Sequence, residues 1–419
     1  MNTKRMLSVL ISAVMLLSGV TAVSAEDTVV ATIGDKGYST LQEAFDAVDN
    51  GTIVLQDDVT LTKTAKFFTK TATLDLNGKK ISISGTGSRA VYVGNGADLI
   101  INGNNGEINA GQVSVECSGV DENNRSTVTI NGGSYNAGYS VFAGNYSYVT
   151  VNDGAFNGYF YSNGAYKDSH FVINKGTFTK QFYLAAGYGS TYEINGGTFT
   201  EASDTTVEIK GGTLTINGGT FTNASDKQKL EYNGNGSSSE GYALAVLAHK
   251  AYQGADVVVN GGTFNGYVGL NDVPEGVEVN STLEINGGSY VNDISSYVPT
   301  GFKAIKIGDK YGVAEVKETE VTEVTEETTK KAVKEGLNEK VSLNENTTEK
   351  IETFSLSDLA AAYLVRATYN VSDGEKDGTV DVDFDLGNAE IGGSAAFGVV
   401  FYNVPEGITI GAPVISVAR

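Results

Sequence analysis

An eight-residue pattern, apolar-x-apolar-Asn-Gly-Gly-Thr-Phe, recurs seven times in this chain. The copies read VTINGGSY (Val128 to Tyr135), VTVNDGAF (Val149 to Phe156), FVINKGTF (Phe171 to Phe178), YEINGGTF (Tyr192 to Phe199), LTINGGTF (Leu214 to Phe221), VVVNGGTF (Val257 to Phe264) and LEINGGSY (Leu283 to Tyr290). Their asparagines, Asn131, Asn152, Asn174, Asn195, Asn217, Asn260 and Asn286, lie 21, 22, 21, 22, 43 and 26 residues apart. A unit this short cannot bury a face by itself, so successive units must stack.

Within a unit the apolar residues alternate with period two, which marks a strand rather than a helix. In the first copy Val128 and Ile130 should face inward and Thr129 outward. Asn-Gly-Gly then turns the chain, because Gly accepts positive φ, and Tyr135 points back into the core. Breaks such as Ala143-Gly144-Asn145 divide the remainder of the unit into two more strands. A three-sided coil follows. Helical solenoids are disfavoured by the many β-branched residues and by 52 glycines. With strands stacked about 4.8 Å apart, the asparagines should form one hydrogen-bonded file and the Phe/Tyr residues four positions later a second. The spacing of 43 suggests one coil that lacks the motif and carries Asn233 to Gly241 as an outward loop. The 26 fits a coil with a short insertion near Pro274.

Before the clear copies, Thr40 to Gly51 (TLQEAFDAVDNG) predicts an amphipathic helix. Thr40 would cap it with Glu43, Asn50-Gly51 would end it, and Leu41, Ala44, Phe45 and Val48 would form its apolar face. It should cover the open edge of the first coil. Strands begin at Thr52-Ile53-Val54-Leu55, and Leu74 to Gly78 and Leu99 to Gly103 read as irregular early copies. About 10 to 12 coils, hence a rod of roughly 50 Å, are expected from the stacking distance.

These motifs resemble coils of the pectin-lyase-like right-handed parallel β-helix superfamily, and most closely the adhesin-like surface and secreted proteins of bacteria. The resemblance is clear over Val128 to Tyr290 and weaker back to Gly51. The expected fold is therefore all-β: a right-handed single-stranded parallel β-helix with an N-terminal capping helix, plus a small antiparallel β-sandwich-like module. Residues 1–25 read as a signal peptide, with Lys4 and Arg5 before an apolar run and small residues at Val23-Ser24-Ala25. Residues 26–314 form the helix with its cap. Residues 315–352, rich in Glu, Thr and Lys, form a charged linker. Residues 353–419 form the module, with strands over Ala362 to Val371, Thr379 to Leu386 and Ala396 to Tyr402; it is short for a complete sandwich.

The net charge of −21 argues against nucleic acid and anionic membranes as partners. No membrane span is expected in the mature chain, and the export signal points to a secreted or cell-surface protein. The lone Cys117 excludes an intramolecular disulfide and reads as a buried inert thiol.

No catalytic residue, metal site or cofactor is assigned. In the β-helix the arginines are Arg89 and Arg125, and neither adjoins an acidic cluster in sequence. The superfamily's polygalacturonases would imply a Gly-His-Gly segment, which is absent. Asp57-Asp58 reads as a solvated strand end. Tyr166-Lys167-Asp168-Ser169-His170 could abstract a proton from a uronic acid, yet it reads more simply as a polar turn, and His249-Lys250 does not pair with it by register. Asp373 to Gly378 reads as a hairpin turn rather than a calcium loop, and Asp381, Asp383 and Asp385 as the solvent side of a strand.

Aromatic residues give the stronger signal. Tyr161 and Tyr183 both lie nine residues after their asparagines, and Tyr166 and Tyr188 both lie fourteen after. Alternation in Tyr159-Phe160-Tyr161 and Phe182-Tyr183 turns one residue of each adjacent pair outward. Tyr161, Tyr183, Tyr166 and Tyr188 are the candidate glycan-binding residues, since stacked tyrosines offer apolar area and hydroxyls to a sugar. A non-catalytic protein binding polysaccharide, glycan or a host surface is the leading expectation. A polysaccharide lyase or glycoside hydrolase acting in a groove on the β-helix is the alternative.

Overall fold

Each copy of the repeat makes a strand, a turn at Asn-Gly-Gly and a second strand, and the next coil lies directly on it. In the computed structural model, which describes residues 28–162, 166–187, 189–233, 236–249, 252, 254–276, 278–300, 302–307, 309–320, 350–356, 364–372, 374, 377–385, 395–402 and 407–418, the coils build a parallel β-helix of about nine turns. The first face stacks strands such as Asp98–Asn102, Ser169–Ile173, Thr191–Ile194 and Gly211–Ile216. The second continues past the turn through Thr177–Phe178, Thr198–Glu201 and Thr220–Asn223. The third runs through nine parallel strands from Ala65–Phe68 to Tyr267–Leu270. The expected export signal, 1–25, lies outside the described residues.

The asparagine file is continuous. Asn131 donates to Asn102 (3.0 Å), Asn152 to Asn131 (2.7 Å), Asn174 to Asn152 (2.8 Å), Asn195 to Asn174 (3.0 Å), Asn217 to Asn195 (2.8 Å), Asn260 to Asn217 (2.9 Å) and Asn286 to Asn260 (3.2 Å). Each amide gives its N–H to one neighbour and its oxygen to the other, so one residue type satisfies itself along the axis. Inside, Tyr135, Phe156, Phe178, Phe199, Phe221, Phe264 and Tyr290 stack with ring centroids 4.5–4.9 Å apart and nearly parallel planes. All seven are buried, as are Val128 and Ile130.

The two glycines of the turn serve different needs. Gly197 sits at φ 108°, which side chains avoid. At Gly196 a Cβ would lie 2.8 Å from the Asn174 carbonyl of the coil before, so close stacking of turns excludes it.

The 43-residue interval is not two coils. Gly211–Ile216 pairs directly with Gly254–Val259, and Asn260 bonds Asn217. The extra length is an antiparallel hairpin, Lys229–Asn233 with Gly236–Glu240, leaving a single coil. This, together with long early coils (Asn131 follows Asn102 by 29 residues), is why about nine turns form rather than the expected 10 to 12.

Helix Leu41–Ala47 closes the first coil as expected, with a capping box between Thr40 and Glu43. It ends at Val48, and Asn50 (φ 52°) reverses the chain, so Gly51 already opens the first strand. Gln42 acts as a substitute rung: its amide donates to the Lys66 carbonyl (2.9 Å) and accepts from the Lys66 N–H (2.8 Å) on the outermost strand of the third face. The Lys70 ammonium donates to the carbonyls of Phe45 (3.2 Å) and Asp46 (2.5 Å) at the C-terminal end of the helix. The open edge is thereby covered rather than left to pair with another chain.

At the other end Ser289–Tyr290 pairs antiparallel with Lys310–Glu320, which also pairs with Phe302–Ile307. Lys310–Glu320 continues into parallel pairing with Ala395–Tyr402, on whose other side lies Lys350–Leu356. A second sheet joins Leu364–Ser372 to Asp377–Asp385, Thr409–Ile410 and Val414–Ala418. The two sheets meet through Tyr369 and Phe401, both buried, in an edge-to-face contact at 4.9 Å. Residues 321–349, most of the expected linker, lie outside the described residues.

Candidate functional site

The outward row of the third face is the most aromatic surface of the rod. Register aligns Lys66, Tyr92, Glu116, Phe142, Tyr161, Tyr183 and Glu208, one per coil. They share a side because alternation sends their neighbours inward: Phe160, Phe182 and Val115 are buried. Phe142 and Tyr161 stack at 5.3 Å, and Tyr161 and Tyr183 at 5.0 Å with planes only 11° apart. Tyr166 meets Phe142 edge-on at 5.8 Å. Three of the four expected residues, Tyr161, Tyr183 and Tyr166, thus belong to one cluster. Tyr188 lies outside the described residues.

The stacking decides what this row presents. Rings lying parallel along the axis cover each other's faces, so partners meet ring edges and hydroxyls instead of flat aromatic platforms. Lys210 further covers Tyr183, its ammonium 5.0 Å from the ring centre. Burial raises the Tyr183 hydroxyl well above the ordinary tyrosine range, and the neighbouring Tyr252 and Glu208 add to it. The hydroxyl is therefore a neutral donor at any physiological pH.

An ion pair closes each end of the aromatic run. Glu116, 7% exposed, pairs with Arg89. Burial pushes the Glu116 carboxyl above its ordinary range against the pull of Arg89. Glu208, 4% exposed, accepts from Lys210 (2.7 Å) and from Ser239 of the hairpin. None of these charged partners was anticipated from sequence. Arg89 and Glu116 stand 27 residues apart, and unequal coil lengths hide such register. The hairpin also leans on the row's far end, where Leu230 lies 3.2 Å from the position of a Cβ on Gly269.

A second polar cluster surrounds the Tyr166 to His170 segment. His170 bonds Asp168 through Nε2 (2.7 Å) and Thr191 through Nδ1 (2.6 Å), and its ring stacks on Tyr148 at 4.2 Å. Arg125, separated in sequence, pairs with Asp168 and lies over Tyr148. Lys167 sits over the Tyr146 ring. Burial pushes Asp168 up, but the bonds from Arg125 and His170 outweigh it and hold the carboxyl below the usual aspartate range. Both ring nitrogens of His170 are occupied and the residue is only 8% exposed, so no free lone pair faces a substrate.

The remaining sequence candidates separate. Asp57 and Asp58 occupy a strand turn, where Asp58 accepts from the Lys80 N–H (2.8 Å). His249 stacks on Tyr252, away from His170 in register, and Lys250 lies outside the described residues. Two carboxylates of the expected row are engaged: Arg366 forks onto Asp383 with two bonds of 2.6 Å and reaches Asp381 at 3.5 Å, while the Asp385 side chain lies outside the described residues. Part of Asp373 to Gly378 lies outside the described residues. Cys117 is buried, and burial raises its thiol far above the ordinary range. Among the described residues no three His, Cys, Asp or Glu side chains are grouped to hold a metal ion, and no helix is long and apolar enough to cross a membrane.

Comparison of the chain with protein-family models, with curated proteins and with solved structures found no match.

Proposed function

We propose that this chain is an exported, non-catalytic β-helix protein, related to the adhesin-like branch of the pectin-lyase-like superfamily, that binds glycan or a host surface along its third face. The observation that carries the reading is the Phe142, Tyr161, Tyr183 row, bracketed by the Arg89–Glu116 and Lys210–Glu208 pairs. A row that advances one rung per coil suits an extended polymer lying along the axis. Its hydroxyls and ion pairs supply the directional contacts that saccharide hydroxyls need, while ring edges supply apolar area. Export rests on the sequence pattern of residues 1–25.

A glycan array tests this. Tyr161→Ala and Tyr183→Ala should each lower binding by about tenfold, the loss of one good polar or aromatic contact. Tyr183→Phe should lose most of the same, because the ring faces are already covered. Unchanged binding in all three variants would remove the claim.

A second reading, a carbohydrate-active enzyme, is favoured by the juxtaposition of His170, Asp168, Arg125 and Lys167. It predicts new reducing ends or unsaturated products from polysaccharides, abolished by His170→Ala. The occupied nitrogens of His170 weigh against it.

A further inference from the structure

The second face of the rod carries a regular array that the aromatic row of the third face does not use. Its rungs read Thr177-Phe178-Thr179, Thr198-Phe199-Thr200 and Thr220-Phe221-Thr222, followed by Thr263-Phe264-Asn265. Register aligns Thr177, Thr198, Thr220 and Thr263 in one file and Thr200, Thr222 and Asn265 in a second, which Thr179 extends by one rung. The phenylalanine of each rung is buried, so alternation turns both of its neighbours outward. Thr177, Thr179, Thr198 and Thr200 are exposed, and Thr220, Thr222 and Thr263 are half-buried.

The buried column beneath sets the spacing of the array. From Phe178 to Phe264 successive rings stand 4.5–4.8 Å apart, with planes no more than 14° from parallel. The coils therefore advance by a nearly constant step with little twist. The threonines repeat at about 4.8 Å along the axis and at about 6.6 Å across a rung. Both repeats lie near those of the oxygen atoms on a prism face of hexagonal ice, along its a and c axes.

The array is also neutral and unengaged. No charged residue enters the four rungs, although the chain carries −21. Among the described residues the hydroxyls of Thr177, Thr198, Thr200, Thr220 and Thr263 have no protein partner. Ala155 and Ser134 continue the first file with small neutral side chains. Charges stay at the borders: the Lys175–Asp153 pair lies in the turn before Thr177, and Lys310 meets Asn265 (2.9 Å) at the far end. Strand formation alone does not call for such uniformity. An outer row of the first face, through the same coils, runs Tyr148, His170, Thr191, Thr213 and Asp256.

We propose that the second face binds the surface of ice. Each threonine offers a hydroxyl to a water at a lattice position, and its methyl group lies between such waters. The β-branched side chain is stiff at χ1, so the array is formed before it meets ice and binding orders little that was free. Single contacts to water are weak, but a rigid face makes many of them at once.

The test is partition of the full mature chain between a slowly grown ice hemisphere and the remaining liquid, with serum albumin dissolved alongside as the inert reference. The parent should be enriched in the ice over albumin, and ice crystals held in its solution just below freezing should grow facets. Thr177→Lys and Thr198→Lys should each lose the enrichment while melting as the parent does. Thr215→Lys, on the first face, and Tyr161→Ala, on the third, should keep it. Exclusion of the parent from ice to the same extent as albumin, or round unfaceted crystals, would overturn the proposal. Enrichment intact in both second-face variants would overturn it too. So would equal loss in Thr215→Lys, which would mark trapping that is indifferent to the face.

Discussion

Asn260 donates its side-chain amide to the Asn217 oxygen at 2.9 Å although 43 residues separate them. That bond places consecutive rungs at the two ends of the longest interval in the repeat. It turns what reads as two coils into one coil with a hairpin.

The asparagine file should respond to substitution as a chain of single bonds. Asn174 gives one bond to Asn152 and takes one from Asn195. Asn174→Ala loses both and should cost about 1–2 kcal/mol. Asn174→Asp keeps an acceptor for Asn195 but sets a carboxylate oxygen against the Asn152 oxygen, so it should cost at least as much as the alanine variant. Urea denaturation of the three proteins checks the order; equal midpoints would mean the file adds nothing to stability.

The inner aromatic column should be far more sensitive than the outer row. Phe178 is buried between Phe156 and Phe199, so Phe178→Ala should cost about 3–5 kcal/mol. Tyr183 is partly exposed, and Tyr183→Ala should cost well under half of that. Thermal melts that show the reverse order would mean that the two rows have been assigned to the wrong sides.

Two carboxylates should shift stability with pH in opposite directions. Asp168 is held below its ordinary value of 3.8 in the folded chain. Its contribution is present above that value and is lost as pH falls through the folded one. Asp168→Asn should therefore lower the melting temperature at pH 7, and the gap should narrow below about pH 3.8. Glu116 is raised above its ordinary 4.5. Its contribution is complete below 4.5 and is lost as pH climbs through the folded value, so Glu116→Gln should be tolerated at pH 7 better than at pH 4. Melting curves of both variants from pH 3 to 7 decide the signs.

The hairpin should matter to the outer row more than to the fold. Ser239 bonds Glu208, and Leu230 fills the space over Gly269. Replacing Lys229–Glu240 by a short Gly/Ser turn leaves the pairing of Gly211–Ile216 with Gly254–Val259 untouched. The shortened chain should still fold, with a melting temperature within a few degrees of the parent. It should also lose glycan affinity through the freed Glu208. Collapse of the fold would show that the hairpin completes a coil after all.

The fold was legible because its determinants are local. Alternation at Val128, Thr129 and Ile130, the Asn-Gly-Gly turn and the Thr40–Glu43 cap are each written within a few residues. The candidate site was legible only in part. Tyr161 and Tyr183 sit in neighbouring coils of nearly equal length, so their alignment survives simple subtraction. Arg89 with Glu116 joins coils of unequal length, so no single offset aligns them. Arg125 and Asp168 do share an offset, each six residues before its asparagine, but the pair skips a coil, and a search of adjacent coils passes over it. The hairpin escaped for a related reason: a Gly/Ser-rich stretch looks alike whether it interrupts a coil or replaces one. The covering of the tyrosine faces depends on ring orientation, which residue spacing does not carry.

The unbroken stacking of coils is tested most directly by the distance between spin labels at Thr129→Cys and Glu284→Cys, measured by pulsed electron resonance. These positions lie on one outward row of the first face, joined through Thr150, Val172, Glu193, Thr215 and Val258. Six rungs at about 4.8 Å predict a narrow distribution near 29 Å. A distribution centred near 34 Å, which an extra coil between Asn217 and Asn260 would give, or one without a defined maximum, would contradict it.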